Sequence, residues 1–170
     1  MGNNEVYLDL ETQDIIGEKE LRISVACIFK NGYKVFMENE IESLLDELFS
    51  SSLVIGFNLF DFDYKVLGAY TEKDLYKFPT IDMLREIKKV LGFRISLNNL
   101  AKANLDKQKL GSGLDAVRFW KEGNIEKLIE YCIRDVEVTK DIYQLGKKQG
   151  FLYYIERGSN GEKKKVSVKW

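Results

Sequence analysis

The sequence predicts an α/β protein in which a β-sheet, antiparallel in its first three strands, carries helices on its faces. Segments with the residue types of strands come first along the chain and helical segments follow, with one strand-helix-strand crossover in the middle. The 170 residues are 45% hydrophobic and 12% aromatic, which is enough for one sizeable core. This composition excludes disordered, collagen-like and low-complexity proteins.

The first three strands are indicated by residue type and by one turn. Residues 5–10 and 21–29 are rich in β-branched and aromatic side chains. The dipeptide Asn31-Gly32 is the strongest short hairpin signal in the chain, and it precedes a third such segment at residues 33–37. We therefore expect three consecutive antiparallel strands.

A helix and a buried strand complete the predicted first half. Apolar side chains recur at helical spacing between residues 38 and 49, with acidic side chains pointing outward, which predicts an amphipathic helix. Residues 53–55 form a short apolar run before Gly56, as expected for a buried strand that opens into a loop. A second helix should cross back from that loop.

The second half is predicted to be helical until its last twenty residues. Four helices are expected there, with ranges of about 85–91, 97–103, 114–121 and 124–148. Gly92 should end the first of these helices, and Asn124 suits the N-cap of the last. The polar and basic segment at residues 104–113 should be a mobile loop.

The final segment is basic and predicts two strands around a Ser-Asn-Gly turn. We expect a domain over residues 1–150, followed by a β-hairpin-like extension at residues 151–170. No segment has the composition of a linker that would divide the chain further.

Histidine is absent from the sequence, and this excludes several kinds of active site. A Ser-His-Asp triad, a Cys-His pair, a zinc site with histidine ligands and an imidazole general base all require it. Cys27 and Cys132 are too few for a four-cysteine zinc site, and both lie in apolar periodic segments. We expect them to be buried core residues.

Charge is unevenly distributed, although the formal net charge is only -1. Residues 1–90 carry 10 basic and 17 acidic side chains, whereas residues 91–170 carry 16 and 10. Either an acidic site faces a basic surface, or the charges are solvated without a common purpose. No apolar run of 18 residues and no signal-peptide pattern occurs, so we expect a soluble, cytoplasmic protein that does not enter a membrane.

Two acidic side chains, Asp9 and Glu11, lie on the same face of the first predicted strand, because side chains alternate along a strand. Neighbouring anions at the end of an apolar strand repel each other and lose hydration, and a cation between them offsets this cost. Oxygen ligands without His or Cys favour Mg²⁺ or Mn²⁺. Taken alone, such a pair more often marks a solvated strand end.

The segment after the buried strand contains Asn58, Asp61, Phe62 and Asp63. Ligands of α/β sheets bind beyond the carboxyl ends of the strands, which makes this segment a candidate site. The alternative is a helix N-terminus that acidic residues stabilise. Asp61 and Asp63 cannot face the same way on that helix, so at most one of them should reach a shared site.

Tyr131 and Asp135 fall about 40° apart on the long helix, at the border of its apolar face. They should therefore point at the edge of the sheet rather than into open water. The alternative is a structural tyrosine beside the core with an acid nearby.

Together, the three motifs resemble those of the DEDDy 3′–5′ exonucleases of the ribonuclease H-like superfamily, a group that includes the proofreading domains of DNA polymerases and the ribonuclease D type. The matching residues are Asp9 and Glu11 followed by Thr12, then Asn58, Phe62 and Asp63, and finally Tyr131 and Asp135. The likeness covers roughly residues 5–145. Its part from Ser96 through Asp135 is most similar to helicase-associated domains of the YprB type, whereas the last twenty residues lie outside the nuclease core.

The resemblance implies a ribonuclease H-like mixed sheet, with parallel strands after the first three, and a metal-dependent 3′–5′ exonuclease. The substrate would be the 3′ end of single-stranded DNA or RNA, and the products would be nucleoside 5′-monophosphates. Two divalent ions, Mg²⁺ or Mn²⁺, would be held by four acids, namely Asp9, Glu11, Asp63 and Asp135. Tyr131 would orient the attacking water.

The resemblance also assigns residues to substrate binding. Thr12 and Asn58 would hold the terminal nucleotide, and Phe62 would pack beneath the site. Two further acids, Asp61 and Asp82, are expected to be ordinary acids of a rim or a helix start.

Basic side chains of the second half are candidates for contacts with upstream phosphates. We expect Lys107 and Lys109 of the loop to provide these contacts. Their predicted neighbours in this role are Lys102, Arg118 and Lys121, whereas the triplet at residues 163–165 should be a solvated face. A helicase or another nucleic-acid-processing protein is a candidate partner.

Two other functions compete with the exonuclease. One is a catalytically silent domain of the same fold that binds nucleic acid or a partner protein. The other is an endonuclease of related fold, which needs no free 3′ end. The presence of all four acids and the tyrosine favours activity, since a silent domain has no physical reason to keep five clustered polar groups.

Overall fold

The computed structural model describes residues 4–15, 17, 21–105 and 111–170. Its strands are β1 (Glu5–Thr12), β2 (Ile23–Phe29), β3 (Tyr33–Met37), β4 (Leu53–Gly56), β5 (Thr80–Asp82), β6 (Phe151–Ile155) and β7 (Lys163–Ser167). The first five form one sheet in the order β3-β2-β1-β4-β5. Neighbours among β1, β2 and β3 pair antiparallel, while β4 pairs parallel with β1 and with β5. The predicted α/β class and mixed sheet are confirmed.

Helices cover both faces of this sheet. They are α1 (Ile41–Phe49), α2 (Asp63–Leu67), α3 (Met83–Leu91), α4 (Leu97–Asn104), α5 (Gly113–Lys121) and α6 (Ile125–Gln149). On one face, α1 and α2 enclose an apolar cluster with every second side chain of β1, including Leu8 and Leu10. On the other face, α6 packs across β1 and β2, and its buried side chains join a second cluster. Asp9 and Glu11 belong to this second face.

The termini of several elements agree with their sequence signals. Asn31 adopts the left-handed conformation at the β2–β3 turn, with φ of 59°. Gly92 ends α3 in the same region of φ/ψ space, and the side chain of Asn124 accepts a hydrogen bond from the backbone N–H of Lys127 at the start of α6. Cys27 and Cys132 are buried as free thiols, as predicted.

Strand β5 was not predicted. Its three residues follow Pro79 and are too few to give a strand pattern, and the backbone becomes a strand because it pairs in parallel with β4. Only the ends of the predicted loop at residues 104–113 lie within the described residues, since 106–110 do not.

The C-terminal strands β6 and β7 form an antiparallel hairpin against the second cluster. The side-chain amides of Asn99 and Asn104 on α4 take the place of a neighbouring strand at the free edge of β6. Each accepts from the backbone N–H and donates to the carbonyl of one residue, Ile155 for Asn99 and Tyr153 for Asn104, at 2.7–2.8 Å. No helix within the described part of the chain is long and apolar enough to cross a membrane.

Candidate functional site

Three carboxylates from two elements converge at the centre of the second sheet face. Asp9 and Glu11 extend from β1, and Asp135 extends from α6. One oxygen from each lies within 4.8 Å of the others, a grouping that could hold a metal ion. The register of β1 shifts directly after Glu11, where the antiparallel pairing with β2 becomes irregular.

Helix α6 brings Asp135 to the cluster because its apolar side is buried against the sheet. Leu128, Cys132 and Val136 are fully buried, and Asp135 lies at the border of that apolar side. The Cys132 thiol packs directly on Asp9, with Sγ 3.5 Å from the backbone oxygen and 3.7 Å from Oδ2. This contact fixes the position of α6 along β1, three residues before Asp135.

Asp63 is the first residue of α2, and only 2% of its surface is exposed. It stands outside the 4.8 Å group, but its charge acts on both Asp9 and Glu11. Burial raises its pKa by more than hydrogen bonding from the backbone of Asp63 and Leu10 lowers it. The carboxylate oxygen Oδ1 is buried without a hydrogen-bond partner among the described residues.

The four acids, named here the carboxylate cluster, oppose one another's ionisation. Burial raises the pKa of Asp9 and of Glu11 well above the usual range, and the charges of the neighbouring acids raise both further. Burial likewise raises the pKa of Asp63 to about 8. Divalent cations relieve both the desolvation and the repulsion, so the donor set and the unpartnered Asp63 Oδ1 fit hard metal ions such as Mg²⁺ or Mn²⁺.

Tyr131 lies one helical turn before Asp135 on α6, and it is buried. Burial raises the pKa of its phenol, and the charges of Asp135, Glu11 and Asp9 raise it further. The hydroxyl hydrogen-bonds to Asp135. The phenol therefore remains protonated at neutral pH, beside the carboxylate cluster.

The loop between β4 and α2 is held by Asp82, the last residue of β5. Asp82 Oδ1 accepts from the backbone N–H of Asn58 at 2.8 Å, and Oδ2 accepts from that of Phe60 at 3.1 Å. Oδ1 also accepts from the backbone N–H of Arg85 at 3.3 Å, at the start of α3. The expected helix-start role of Asp82 is confirmed, but it is no rim acid, since it is buried.

Two residues give this loop its shape. A Cβ atom on Gly56 would lie 2.5 Å from the Leu59 side chain, so only glycine lets Leu59 fold back over the strand end. Asn58 has φ of 74°, a left-handed conformation that asparagine tolerates better than most residues. Its side chain accepts a hydrogen bond from Arg94 Nη2 at 2.8 Å.

An apolar pocket of about 300 Å³ adjoins the carboxylate cluster at Glu11. We use the name apolar pocket for the cavity lined by Thr12, Ile15, Phe62, Leu114 and Val117 beside Glu11. Ile15 and Leu114 are 40% and 63% exposed at its mouth. Thr12 and Phe62 thus share one pocket, with the Thr12 hydroxyl donating to the backbone oxygen of Asp14 at 2.9 Å.

Asn58 does not line the apolar pocket with Thr12. It lines instead a groove of about 470 Å³ that reaches the carboxylate cluster at Asp9 and Asp135. Arg94 and Ser96 also line this groove. Thr12 and Asn58, which were expected to hold the same nucleotide, therefore border two different cavities.

A third cavity, of about 370 Å³, shares Asn58, Leu84 and Arg94 with the groove. We name it the basic cleft, after four of its lining side chains, Lys65, Arg85, Lys88 and Arg94. No motif in the sequence had indicated these cations. The available signal was the spacing of Arg85 and Lys88, which places both on one side of a helix that starts beside the loop.

The structure gives little information on the basic residues that were expected to contact phosphates. Lys107 and Lys109 lie outside the described residues. Arg118 pairs with Asp115 at 3.0 Å, and Lys121 pairs with Asp14 at 3.1 Å. Asp61 is an exposed acid that pairs with Arg94 at 3.3 Å, which agrees with its expected place on a rim.

Comparison with known proteins agrees with this architecture. The sequence pattern of the RNase_H superfamily matches residues 6–146. The chain belongs to the RNase H superfamily. No curated protein matches the chain. Any function of this chain therefore uses an RNase H-like fold. That fold carries an acidic cluster suited to divalent metal ions.

A solved structure shares the fold. It is the family B DNA polymerase from the hyperthermophilic archaeon Pyrobaculum calidifontis, with a TM-score of 0.67 and 16% sequence identity. The similarity covers 85% of this chain and 24% of the polymerase chain. This RNase H-superfamily chain thus matches about a quarter of the polymerase chain, and the likeness concerns the fold alone.

Proposed function

We propose that this protein is a metal-dependent 3′–5′ exonuclease that hydrolyses single-stranded DNA or RNA to nucleoside 5′-monophosphates. The observation that carries the proposal is the carboxylate cluster, in which acids from β1, α2 and α6 lie close together. Burial raises the pKa of Asp9, Glu11 and Asp63, so their charged forms are disfavoured without a cation. Membership of the RNase H superfamily and the fold shared with part of a DNA polymerase support a nuclease over other hydrolases.

Asp9, Glu11, Asp63 and Asp135 would hold two divalent ions, Mg²⁺ or Mn²⁺. When bound, such ions supply an activated water and stabilise the leaving 3′ oxygen of the phosphodiester. Asp63 would use its Oδ1, which is buried and has no hydrogen-bond partner among the described residues. The neighbouring Cys132 thiol keeps Asp9 in place through its contact with Oδ2.

Tyr131 would orient the attacking water through its hydroxyl. Since its pKa is raised by burial and by three carboxylates, the phenol stays protonated and serves as a hydrogen-bonding group rather than a general base. Its hydrogen bond with Asp135 fixes the direction of the hydroxyl beside the carboxylate cluster. Loss of the hydroxyl should therefore affect turnover more than metal binding.

The apolar pocket favours an exonuclease over an endonuclease. It lies at Glu11 and has the side chains expected around a nucleoside, with Phe62 and Val117 along its wall and Leu114 exposed at its mouth. A terminal nucleoside seated there would present its phosphodiester to the carboxylate cluster. Thr12 and Phe62 would there have the substrate-binding role that the resemblance implies.

Product analysis tests this function. Purified protein with a single-stranded oligonucleotide and Mg²⁺ or Mn²⁺ should release nucleoside 5′-monophosphates, and EDTA should stop the release. Asp9→Ala should abolish hydrolysis, whereas Asp46→Ala, which removes an exposed carboxylate from α1, should leave it unchanged. Mn²⁺ binding and oligonucleotide binding without any hydrolysis would instead identify the silent binding domain.

A further inference from the structure

We propose that the basic cleft binds the single strand upstream of the scissile bond, through its phosphates and through one stacked base. The inference rests on the proposed function, because the 3′ nucleoside is taken to occupy the apolar pocket. It adds a second group of cations to Lys107 and Lys109, which lie outside the described residues.

The position of the cleft is the first argument. The apolar pocket meets the carboxylate cluster at Glu11, whereas the groove meets it at Asp9 and Asp135. The groove then continues into the basic cleft past Asn58 and Arg94. A strand with its last nucleoside in the apolar pocket and its phosphodiester at the carboxylates would leave along this groove.

Charge is the second argument. Four cations and two carboxylates line the cleft. Asp82 is occupied by three backbone N–H groups, and Asp61 pairs with Arg94. Within the part of the chain that the structure describes, Lys65, Arg85 and Lys88 form no ion pair, whereas the adjacent Lys89 pairs with Glu86 at 2.6 Å. Exposed cations left without acidic partners along a groove suit a chain of phosphates.

An aromatic platform is the third argument. The rings of Phe60 and Tyr76 stack with centroids 5.8 Å apart and an interplanar angle of 24°. The Tyr76 hydroxyl donates to the backbone oxygen of Phe60 at 3.1 Å, and the Arg85 guanidinium lies 4.8 Å from the centroid of the Phe60 ring. Tyr76 is nevertheless 52% exposed. A fixed, exposed ring beside cations is the arrangement on which bases stack without regard to sequence.

Binding without hydrolysis tests the cleft separately from catalysis. We would measure fluorescence anisotropy in EDTA, with single-stranded oligonucleotides of increasing length and a label at the 5′ end. The test variant is Arg85→Gln with Lys88→Gln, both exposed. The matched control is Lys73→Gln with Lys89→Gln, which removes two exposed cations that do not line the cleft. Lys73 lies over the Phe49 ring, which packs in the first cluster.

The test variant should bind long oligonucleotides more weakly than the wild type does, whatever the oligonucleotide sequence. Its slope of log affinity against log salt should be smaller by about 1.4, roughly 0.7 for each of two lost phosphate contacts. A dinucleotide, which does not reach the cleft, should bind both variants and the wild type alike. The control should retain the wild-type slope.

Two results would overturn the proposal. One is an unchanged salt slope for long oligonucleotides, or the same decrease in the control. The other is an equal loss for the dinucleotide, which would place the two cations at the terminal nucleotide instead. Because the assay needs no hydrolysis, a failed exonuclease assay together with a length-dependent loss would reject the proposed function and leave a strand-binding cleft.

Discussion

At the residue scale, the carboxylate cluster brings together buried acids whose negative charges repel one another. Asp9 and Glu11 are forced together by strand alternation, and α6 adds Asp135 from across the core. Burial raises the pKa of Asp9 and of Glu11, and the charges of Asp63 and Asp135 raise both further. Without metal, the cluster therefore lowers the free energy of unfolding, and bound cations should raise it.

The first prediction concerns the pH dependence of stability without metal. An acid whose pKa is higher in the folded than in the unfolded state binds its proton more tightly when folded, so its favourable contribution is lost as pH rises. For Asp63 the loss should run from about pH 4, its unfolded pKa, to about 8, its folded pKa. In EDTA, the Tm should therefore fall between pH 5 and pH 8.

Asp63→Asn is the matched variant, since its amide keeps the shape of the side chain but does not titrate. Its Tm should depend less on pH than that of the wild type, and Mn²⁺ should raise its Tm less at pH 8. A wild-type Tm that is constant or rises over this range in EDTA would contradict the electrostatic account.

The second prediction concerns the tyrosine. Tyr131→Phe keeps the ring and its packing but removes the hydroxyl beside Asp135, so turnover should drop by about 10²-fold or more, while Mn²⁺ affinity remains near that of the wild type. Steady-state kinetics and Mn²⁺ titration measure the two effects separately. An equal loss of metal affinity would make Tyr131 a structural support of Asp135.

At the scale of elements, the site depends on a loop that no local pattern describes. The segment between β4 and α2 combines the close contact at Gly56, the left-handed Asn58 and the Asp82 carboxylate from the neighbouring strand. Asp82 thereby joins β5, α3 and this loop in one set of hydrogen bonds. It is a positioning residue, since it acts on the site through the backbone of Asn58 and Phe60.

The third prediction follows from this role. Asp82→Ala leaves three backbone N–H groups without their acceptor and should lower the free energy of unfolding by about 1–3 kcal/mol or more. Asp82→Asn retains one acceptor oxygen and should be affected less. Urea denaturation checks the order of the two variants, and equal, small effects would show that the loop holds its shape without Asp82.

Sequence patterns predicted the elements that local chemistry determines. Alternation in β1, the Asn31-Gly32 turn and the apolar spacing of α6 each act over a few residues, and each is confirmed. Strand β5 is defined by its pairing with β4, a contact across more than twenty residues, so its own three residues gave no signal. The same reason hid the contacts of Asp82 with Asn58 and Phe60 on another loop, although its role at the helix start was predicted.

At the scale of the whole molecule, the charge of each half was a poor guide to the charged surfaces. The second half carries the excess of basic residues, yet three of the four cations in the basic cleft, Lys65, Arg85 and Lys88, belong to the acidic first half. Folding brings these residues together at the edge of the sheet where β4 and β5 end. The net charge of half the chain cannot predict that grouping, because the grouping depends on which side of each helix faces the basic cleft.

The molecule as a whole places the carboxylate cluster between the apolar pocket and the groove that leads to the basic cleft. In the proposed function, this order would suit a terminal nucleoside, a phosphodiester at metal ions and a departing strand. The RNase H superfamily fold provides the sheet on which the three lie side by side. The central claim is therefore that hydrolysis begins at a free 3′ end and needs divalent metal.

The most direct test compares a linear single strand with the same sequence closed into a circle, in Mg²⁺ or Mn²⁺. We predict that a 3′-terminal label is released first as a mononucleotide, that a 5′-labelled strand shortens stepwise, and that the circle remains intact. Asp135→Asn should abolish all hydrolysis. Cleavage of the circle, or internal cleavage of the linear strand before its 3′ label is released, would contradict the account.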